Sequence, residues 1–463
     1  MVPEIRPPQC VQVSRKGRRI ALLIAGLAVL WAVGVVLVGY AALRRAVLFN
    51  PSAGWVDSRR LKLEPFAKPM LSDNGFDTYQ EAIALLPQEE TVDLGSGPVE
   101  LVSEYAKGTV SLSGVRATLI DAQPALDKVH EAALKDYASP GPLTIDARYP
   151  WCAEQRELAR FVAADARAKH EQGQDAAALM RCRDGTAMGV HIGTNGTMIE
   201  KLVGIAVEAI VYGPAVQTIT SGDLPASELK AHGAEVRRIR EQEHPLSEVA
   251  RAEFEVCRDA AYSIGRPERR QALLDNGFDA EFLRAMNSPV IRLTWSPEVW
   301  LEWVEDRCAR TVEEWSKLPS EADLEAFDDQ MLADTRARND PLAMMVAPSA
   351  AKLWWKHVHG DLLLIAQETI AGIRAYDVER GHLPQALSDL VPGYLPEVPV
   401  DPFDGEPLRY RESGSDYVLY SVGKDKRDDG GTAGYVIGKD VEPDMILYPL
   451  PPPTTTAPVA VGG

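Results

Sequence analysis

The chain has 463 residues, with 49 Lys and Arg against 67 Asp and Glu, a formal net charge of −18 and 46% hydrophobic residues. That length outgrows one compact core and predicts about two or three domains. The negative charge excludes a general nucleic-acid binder, which needs clustered cations to displace counterions from phosphates, so no nucleic-acid partner is expected.

The charge is unevenly placed. Residues 1–50 hold seven basic residues and a single acid, Glu4, so the remainder carries a net −24. A basic tail, 1–19, is followed by an uncharged apolar run, 20–43, flanked by Arg15, Lys16, Arg18 and Arg19. At 1.5 Å per residue a helix of this length reaches about 36 Å, enough to cross the roughly 30 Å hydrocarbon core. It exceeds the 7–15 residues of a secretory h-region. We therefore expect an uncleaved single-pass transmembrane helix in the inner (cytoplasmic) membrane. The short basic N-terminus would be cytoplasmic and the long body extracytoplasmic. The next most apolar stretch, Leu202 to Tyr212, is interrupted by Glu208 and reads as an amphipathic helix.

From 50 to 340 the pattern is helical almost throughout, with apolar residues at three- and four-residue spacing. Trp300, Trp303, Val304, Cys308 and Val312 would line one face of the helix starting near Pro297. Breaks are expected at Ser139-Pro140-Gly141-Pro142, Gly213-Pro214, Ser221-Gly222, Gly265-Arg266-Pro267 and Asn339-Asp340-Pro341. Asp73-Asn74-Gly75-Phe76-Asp77 recurs as Asp275-Asn276-Gly277-Phe278-Asp279, in each case a left-handed Asn-Gly turn with the second Asp capping a helix. Cys152, Cys182, Cys257 and Cys308 allow either two disulfides in three pairings or four buried thiols. The stretch from Phe161 to Gly185 reads as helix, turn near Gly173, and a second helix starting at Asp175. It resembles one tetratricopeptide-type hairpin, with no second copy at that repeat's period.

The segment 347–445 reads as a small α+β module. A helix presents Leu362, Ile365, Ala366, Thr369, Ile373 and Tyr376 on one face and stops near Gly381. Leu408 to Arg411 and Tyr417 to Ser421 alternate as a β-hairpin joined by Glu412-Ser413-Gly414-Ser415. Residues 446–463 are Pro/Thr-rich and read as a disordered tail. The fold class expected is mainly α, with an N-terminal transmembrane helix, a bundle or irregular hairpin domain, and this α+β end.

The order of motifs in the last module is specific. Ala375-Tyr376-Asp377 and Gly381 precede Leu383-Pro384. Tyr394-Leu395-Pro396, Pro399-Val400-Asp401-Pro402-Phe403 and Pro407-Leu408-Arg409-Tyr410 follow, and Tyr417 to Asp425 closes the set. Over about 70 residues it resembles the globular part of the major pseudopilin of type II secretion systems. The resemblance implies a pilin-like fold, secretion-system or other envelope partners, and calcium in the final acidic loop, with Asp425, Asp428 and Asp429 as ligands. The departures are as informative. No pilin-type processing site precedes the apolar run, and about 300 residues separate that run from the module, an arrangement unsuited to a filament subunit.

No His-Glu-x-x-His, Walker A, G-x-S-x-G, dinucleotide-binding glycine pattern or C-x-x-C occurs. The reading is a membrane-anchored envelope protein with a binding or assembly role, accessory to a type II secretion or pilus-like system. The alternative is a membrane-tethered hydrolase using carboxylates in the helical domain.

Overall fold

The computed structural model describes residues 66–87, 97–194, 196–264, 266–275, 280–286, 297–317, 319, 321–337, 350–414, 416–431 and 444–449. The expected basic tail, transmembrane helix and second Asn-Gly copy at 276–279 lie outside the described residues, as does the tail beyond Pro449. The helices are α1 Gly75–Ala84, α2 Pro98–Lys107, α3 Leu112–Asp121, α4 Gln123–Ala133, α5 Pro150–Glu171, α6 Asp175–Ile192 and α7 Met198–Ser221. They continue as α8 Ala226–Arg240, α9 Leu246–Ser263, α10 Arg270–Asp275, α11 Ala280–Met286, α12 Pro297–Trp315, α13 Glu321–Ala337 and α14 Ala350–Arg380. Strands β1 Arg409–Ser413, β2 Asp416–Ser421 and β3 Met445–Tyr448 form an antiparallel sheet in that order. The chain is mainly helical with this one small sheet.

The chain divides into two compact units, residues 1–62 with 258–303, and residues 63–257 with 304–463. In the first, Leu273, Leu283, Met286 and Trp300 are buried, and Arg269 pairs with Asp259 at 2.8 Å.

Local chemistry explains most of the element boundaries. Asn74, in extended conformation, caps α1 by accepting from the Phe76 amide, and its amide group also bonds Ala138 O at 2.7 Å. The cap is therefore Asn74 itself, and Asp77 sits in the first turn, where an acid suits the helix dipole. Gly173, at φ +71, makes the turn between α5 and α6, as its position in the expected hairpin requires. Pro214 does not break α7, which runs through it for 24 residues. An internal proline costs about 3 kcal/mol. Here α7 packs against α5, α6 and α14, and burying Val211, Tyr212, Ala215, Val216 and Ile219 offsets that cost. This helix is long and apolar enough to cross a membrane, but more than half of its most apolar stretch is buried inside the protein itself.

The expected division between helical and α+β domains near 340–347 does not separate two cores. One hydrophobic cluster joins Tyr212 and Val216 of α7, Leu229 of α8, Leu324 of α13, most of α14, and Leu419 and Leu447 of the sheet. The apolar face expected on α14 is buried from Leu362 to Ile373, with Tyr376 half-buried, but so are Leu363, Leu364, Ile370 and Ala371 on its other sides, because α7 and α8 pack on one flank and the sheet region on another. Trp354, Trp355 and Phe403 form its aromatic centre, with Trp355 and Phe403 stacked at 5.6 Å. The hairpin pairs Arg409 with Tyr420 through Ser413 with Asp416, so Glu412 and Ser413 belong to β1 and the loop is shorter than expected. Met445–Tyr448 falls partly within the stretch read as tail. It is ordered as β3, with Leu447 buried and its carbonyl accepting from Tyr212 Oη at 2.9 Å.

Candidate functional site

Lys201 and Glu208 stand seven residues apart on one face of α7, and both are 1–2% exposed. The space they occupy is cleared by glycine. A Cβ at Gly204 would meet Gly189 O at 2.4 Å, so α6 and α7 cross backbone to backbone. The Glu208 side chain passes Gly189 on α6 and reaches Gly360 on α14, where a Cβ would stand 2.9 Å from its Oε2. Lys201 runs past Gly193 to pair with Glu243, in the connection from α8 to α9. His357 of α14 stands 3.3 Å from the same Glu243 oxygen, and Arg240 pairs with Asp361 at 3.3 Å.

The cluster opens onto a groove with two lobes through Arg240, Glu243, His357 and Asp361, while Lys201 and Glu208 line neither lobe. The larger is a cavity of about 550 Å³ whose walls include Tyr137, His191, Thr194, Glu241 and Glu243. The smaller, about 290 Å³, shares Glu241, Glu243, His244 and Pro245 and continues to His357 and Asp361. Residues just before α1 form one wall. Phe66 N donates to Glu255 at 3.0 Å, and Lys68 reaches inward to Ser139 and to Glu200, which is 1% exposed.

The environments pull the carboxyls of the cluster apart. Burial, reinforced by neighbouring Glu243, raises Glu208 well above the usual carboxylate range. Burial also acts upward on Glu243, but His357 and Lys201 overcome it and bring that carboxyl down to about 2. Burial raises Asp361 despite Arg240, and burial lowers His191 to about 4, leaving a neutral imidazole. Glu208 accepts no hydrogen bond among the described residues. The buried Asp165–Arg181 pair differs: it is held at 3.0 Å and further satisfied by Gln123 and the Leu126 carbonyl, a structural ion pair with nothing left over.

A second constellation has the connectivity of a nucleophilic triad: Ser221 Oγ lies 3.2 Å from His170 Nε2, and His170 Nδ1 lies 2.6 Å from Asp175 Oδ1. Its surroundings oppose that chemistry. Ser221 donates to Gln217 O at 2.7 Å and ends α7, where free carbonyls and the negative end of the helix dipole disfavour a developing oxyanion. Asp175 also accepts from Asp223 N at 2.8 Å, so the group fastens the α5–α6 turn to the end of α7.

The expected calcium ligands are not gathered into one cluster. Asp425 accepts from the Arg427 amide in its own turn, and Asp428 accepts from Tyr420 Oη and Gly430 N. The loop is drawn together by Asp444, whose Oδ2 accepts from Asp429 N at 3.0 Å and Gly431 N at 2.8 Å. Its buried Oδ1 has no partner among the described residues, and burial, with Asp428 and Asp429 nearby, raises its pKa. Among the described residues no group of three or more His, Cys, Asp or Glu is arranged to hold a metal. Cys152, Cys182 and Cys257 are buried free thiols and Cys308 is a half-buried one.

The groove residues carried one sequence signal, charges at helical spacing inside an apolar helix. Glu208 was read only as an interruption, and Glu243, Asp361 and His191 had none. Compared with known proteins, the chain matches no family model, no curated relative and no solved structure.

Proposed function

We propose that the chain is a membrane-anchored envelope protein with a binding or assembly role, accessory to a type II secretion or pilus-like system. Its anchor would be the apolar run 20–43 in the inner membrane, with the N-terminus cytoplasmic and the body outside. The groove carries the binding role, because Glu243 lines both lobes of an open cavity and is paired there with the buried Lys201, at a desolvation cost that packing alone would not require. The pilus-type association is supported by α14 ending at Gly381 (φ +76) and leading into a three-stranded antiparallel sheet, the order implied by the resemblance. An accessory role fits better than a filament subunit, since α14 is buried within its own chain and is not free to pack in a fibre core. Purification of the tagged full chain from native membranes is expected to recover secretion or pilus-type components. A chain found in the soluble fraction, or recovered alone, would overturn the proposal.

Calcium at the 423–431 loop belongs to the same proposal. The partnerless Asp444 oxygen, with Asp428 and Asp429 beside it, suits a hard cation, whereas Asp425 is engaged in its own turn. Excess calcium should raise the melting temperature of the full chain and leave an Asp444→Asn variant unmoved. Equal response of the two proteins, or no response in either, removes the ion.

One observation favours the hydrolase reading: Glu208 and Glu243 have their carboxyls driven in opposite directions, as an acid and a base require. Turnover of chromogenic ester, phosphate or glycoside substrates, lost in Glu243→Gln, would establish it. Equal or absent turnover in both proteins rejects it.

A further inference from the structure

The groove identified above as a binding site has walls that specify a ligand. Among the carboxylates facing the larger lobe, Glu243 is already matched by Lys201 and His357, and Glu248 by His244. Asp136 and Glu241 are different. Both are exposed, both line the cavity, and neither side chain has an ion-pair or hydrogen-bond partner among the described residues. The one lysine on the wall, Lys135, is held by Asp73 and Glu131, each at 2.9 Å, and does not offset them. The open lobe therefore presents two uncompensated negative charges.

A second and independent feature points into the same space. His191 is 7% exposed and lines the cavity. Tyr137 covers one face of the ring in a stacked arrangement at 5.6 Å, and Tyr79 Oη meets Nδ1 at 3.2 Å. Tyr79 has no other hydrogen-bond partner among the described residues, and burial keeps its hydroxyl protonated. Satisfying that hydroxyl sends its proton to Nδ1, and the neutral imidazole then carries its own on Nε2. This assignment follows from the partners. Nε2 has no partner among the described residues, so a nearly buried N–H donor is left to a ligand. Thr194, close by on the same wall, donates its hydroxyl proton to Val190 O at 2.7 Å and keeps its lone pairs as acceptors.

The lobe thus offers negative charge for a cation, a donor for a carbonyl and an acceptor for an amide. A lone ammonium ion would use only the first, and about 550 Å³ is the size of a cleft for a larger group. The chain itself shows how its carboxylates take amines: Lys68 sits on Glu200 and Ser139 beneath the Tyr149 ring, and Lys201 on Glu243. We propose that the groove receives a basic side chain of an extended peptide, its cation between Asp136 and Glu241 and a backbone carbonyl on His191 Nε2.

The inference rests on the groove being a binding site, and its test is separable from that of the assembly role. Calorimetric titration of the full chain would use three probes: Nα-acetyl-lysine methylamide, the same molecule acetylated on Nε, and n-pentylamine. The first should bind saturably, and loss of its charge should weaken binding by about tenfold or more. Pentylamine, which has the single charge without the carbonyl, should bind more weakly than the first. An Asp136→Asn/Glu241→Gln variant, altered only at exposed positions and checked for an unchanged melting temperature, should lose the preference for the charged probe. Equal binding of the two lysine probes, an unaltered preference in the variant, or no binding of either probe would overturn the cation site. Pentylamine binding as tightly as the lysine probe would overturn the carbonyl contact. If secretion components still co-purify while the lysine probes fail, the ligand class falls and the assembly role stands.

Discussion

Replacing Glu243 by Gln removes the counter-charge of Lys201, whose side chain is 1% exposed, while keeping the shape of the site. Breaking one side of a buried pair costs about 3–5 kcal/mol, because an ion is left without compensation. Two neighbours modify the figure. His357 loses the same partner, which adds to the cost, while Glu208 is relieved of a nearby negative charge, which reduces it. We therefore expect a loss near the lower end, about 3 kcal/mol. Lys201→Met should cost a similar amount by stranding Glu243. The double substitution leaves no unpaired ion between them and should cost far less than the sum, with a coupling of about 2 kcal/mol or more. Urea unfolding of the full chain and its three variants measures all four stabilities. A loss below about 0.5 kcal/mol for Glu243→Gln, or additive single losses, would refute the claim that this pair is buried and coupled.

Glu208, raised when folded, binds its proton more tightly in the native state, so its contribution is intact at low pH and is lost as pH rises through its folded value. Glu243, lowered to about 2, acts oppositely and loses its contribution as pH falls from about 4.3 toward that value. Glu208→Gln should therefore gain stability relative to the parent between pH 5 and 8 by more than about 1 kcal/mol, and parallel pH profiles would contradict this. Burial pushes the Cys152 and Cys308 thiols up to about 12 and raises Cys182 and Cys257 as well. All four should resist iodoacetamide in the native chain at pH 8 and react fully once unfolded without reductant; peptide mapping that finds a disulfide among them would contradict the free-thiol structure. Excision of 347–445 strips α14 of its cover from α7 and α8, so the fragment should lack a cooperative unfolding transition, and a sharp transition would restore the two-domain reading.

Helical periodicity made the elements legible because burial leaves a repeating trace. The α5–Gly173–α6 turn, the end of α14 and the presence of the hairpin follow from local residue chemistry, whereas the length of its loop does not. Pro214 misled because its penalty is local, whereas the packing that outweighs it comes from α5, α6 and α14. The core shared across residue 340 is hidden for a related reason. Apolar residues on both sides of α14 say that it is buried, but not that α7 and α8 cover it from 150 residues away. The groove was least legible of all, since it assembles Tyr137, His191, Glu243 and His357 from distant segments. Only the charges at helical spacing inside the apolar α7 left a trace in sequence, and the role of Gly189 and Gly360, which admit Glu208, needs the helix crossing to be seen.

The binding role of the groove is tested most directly by a photo-crosslinking residue at Gln242, exposed on the wall of the larger lobe, in the full chain in native membranes. A crosslink to a secretion or pilus-type component is expected, and it should disappear with Asp136→Asn/Glu241→Gln. No such crosslink at this position, or one unaffected by the two substitutions, would contradict that role.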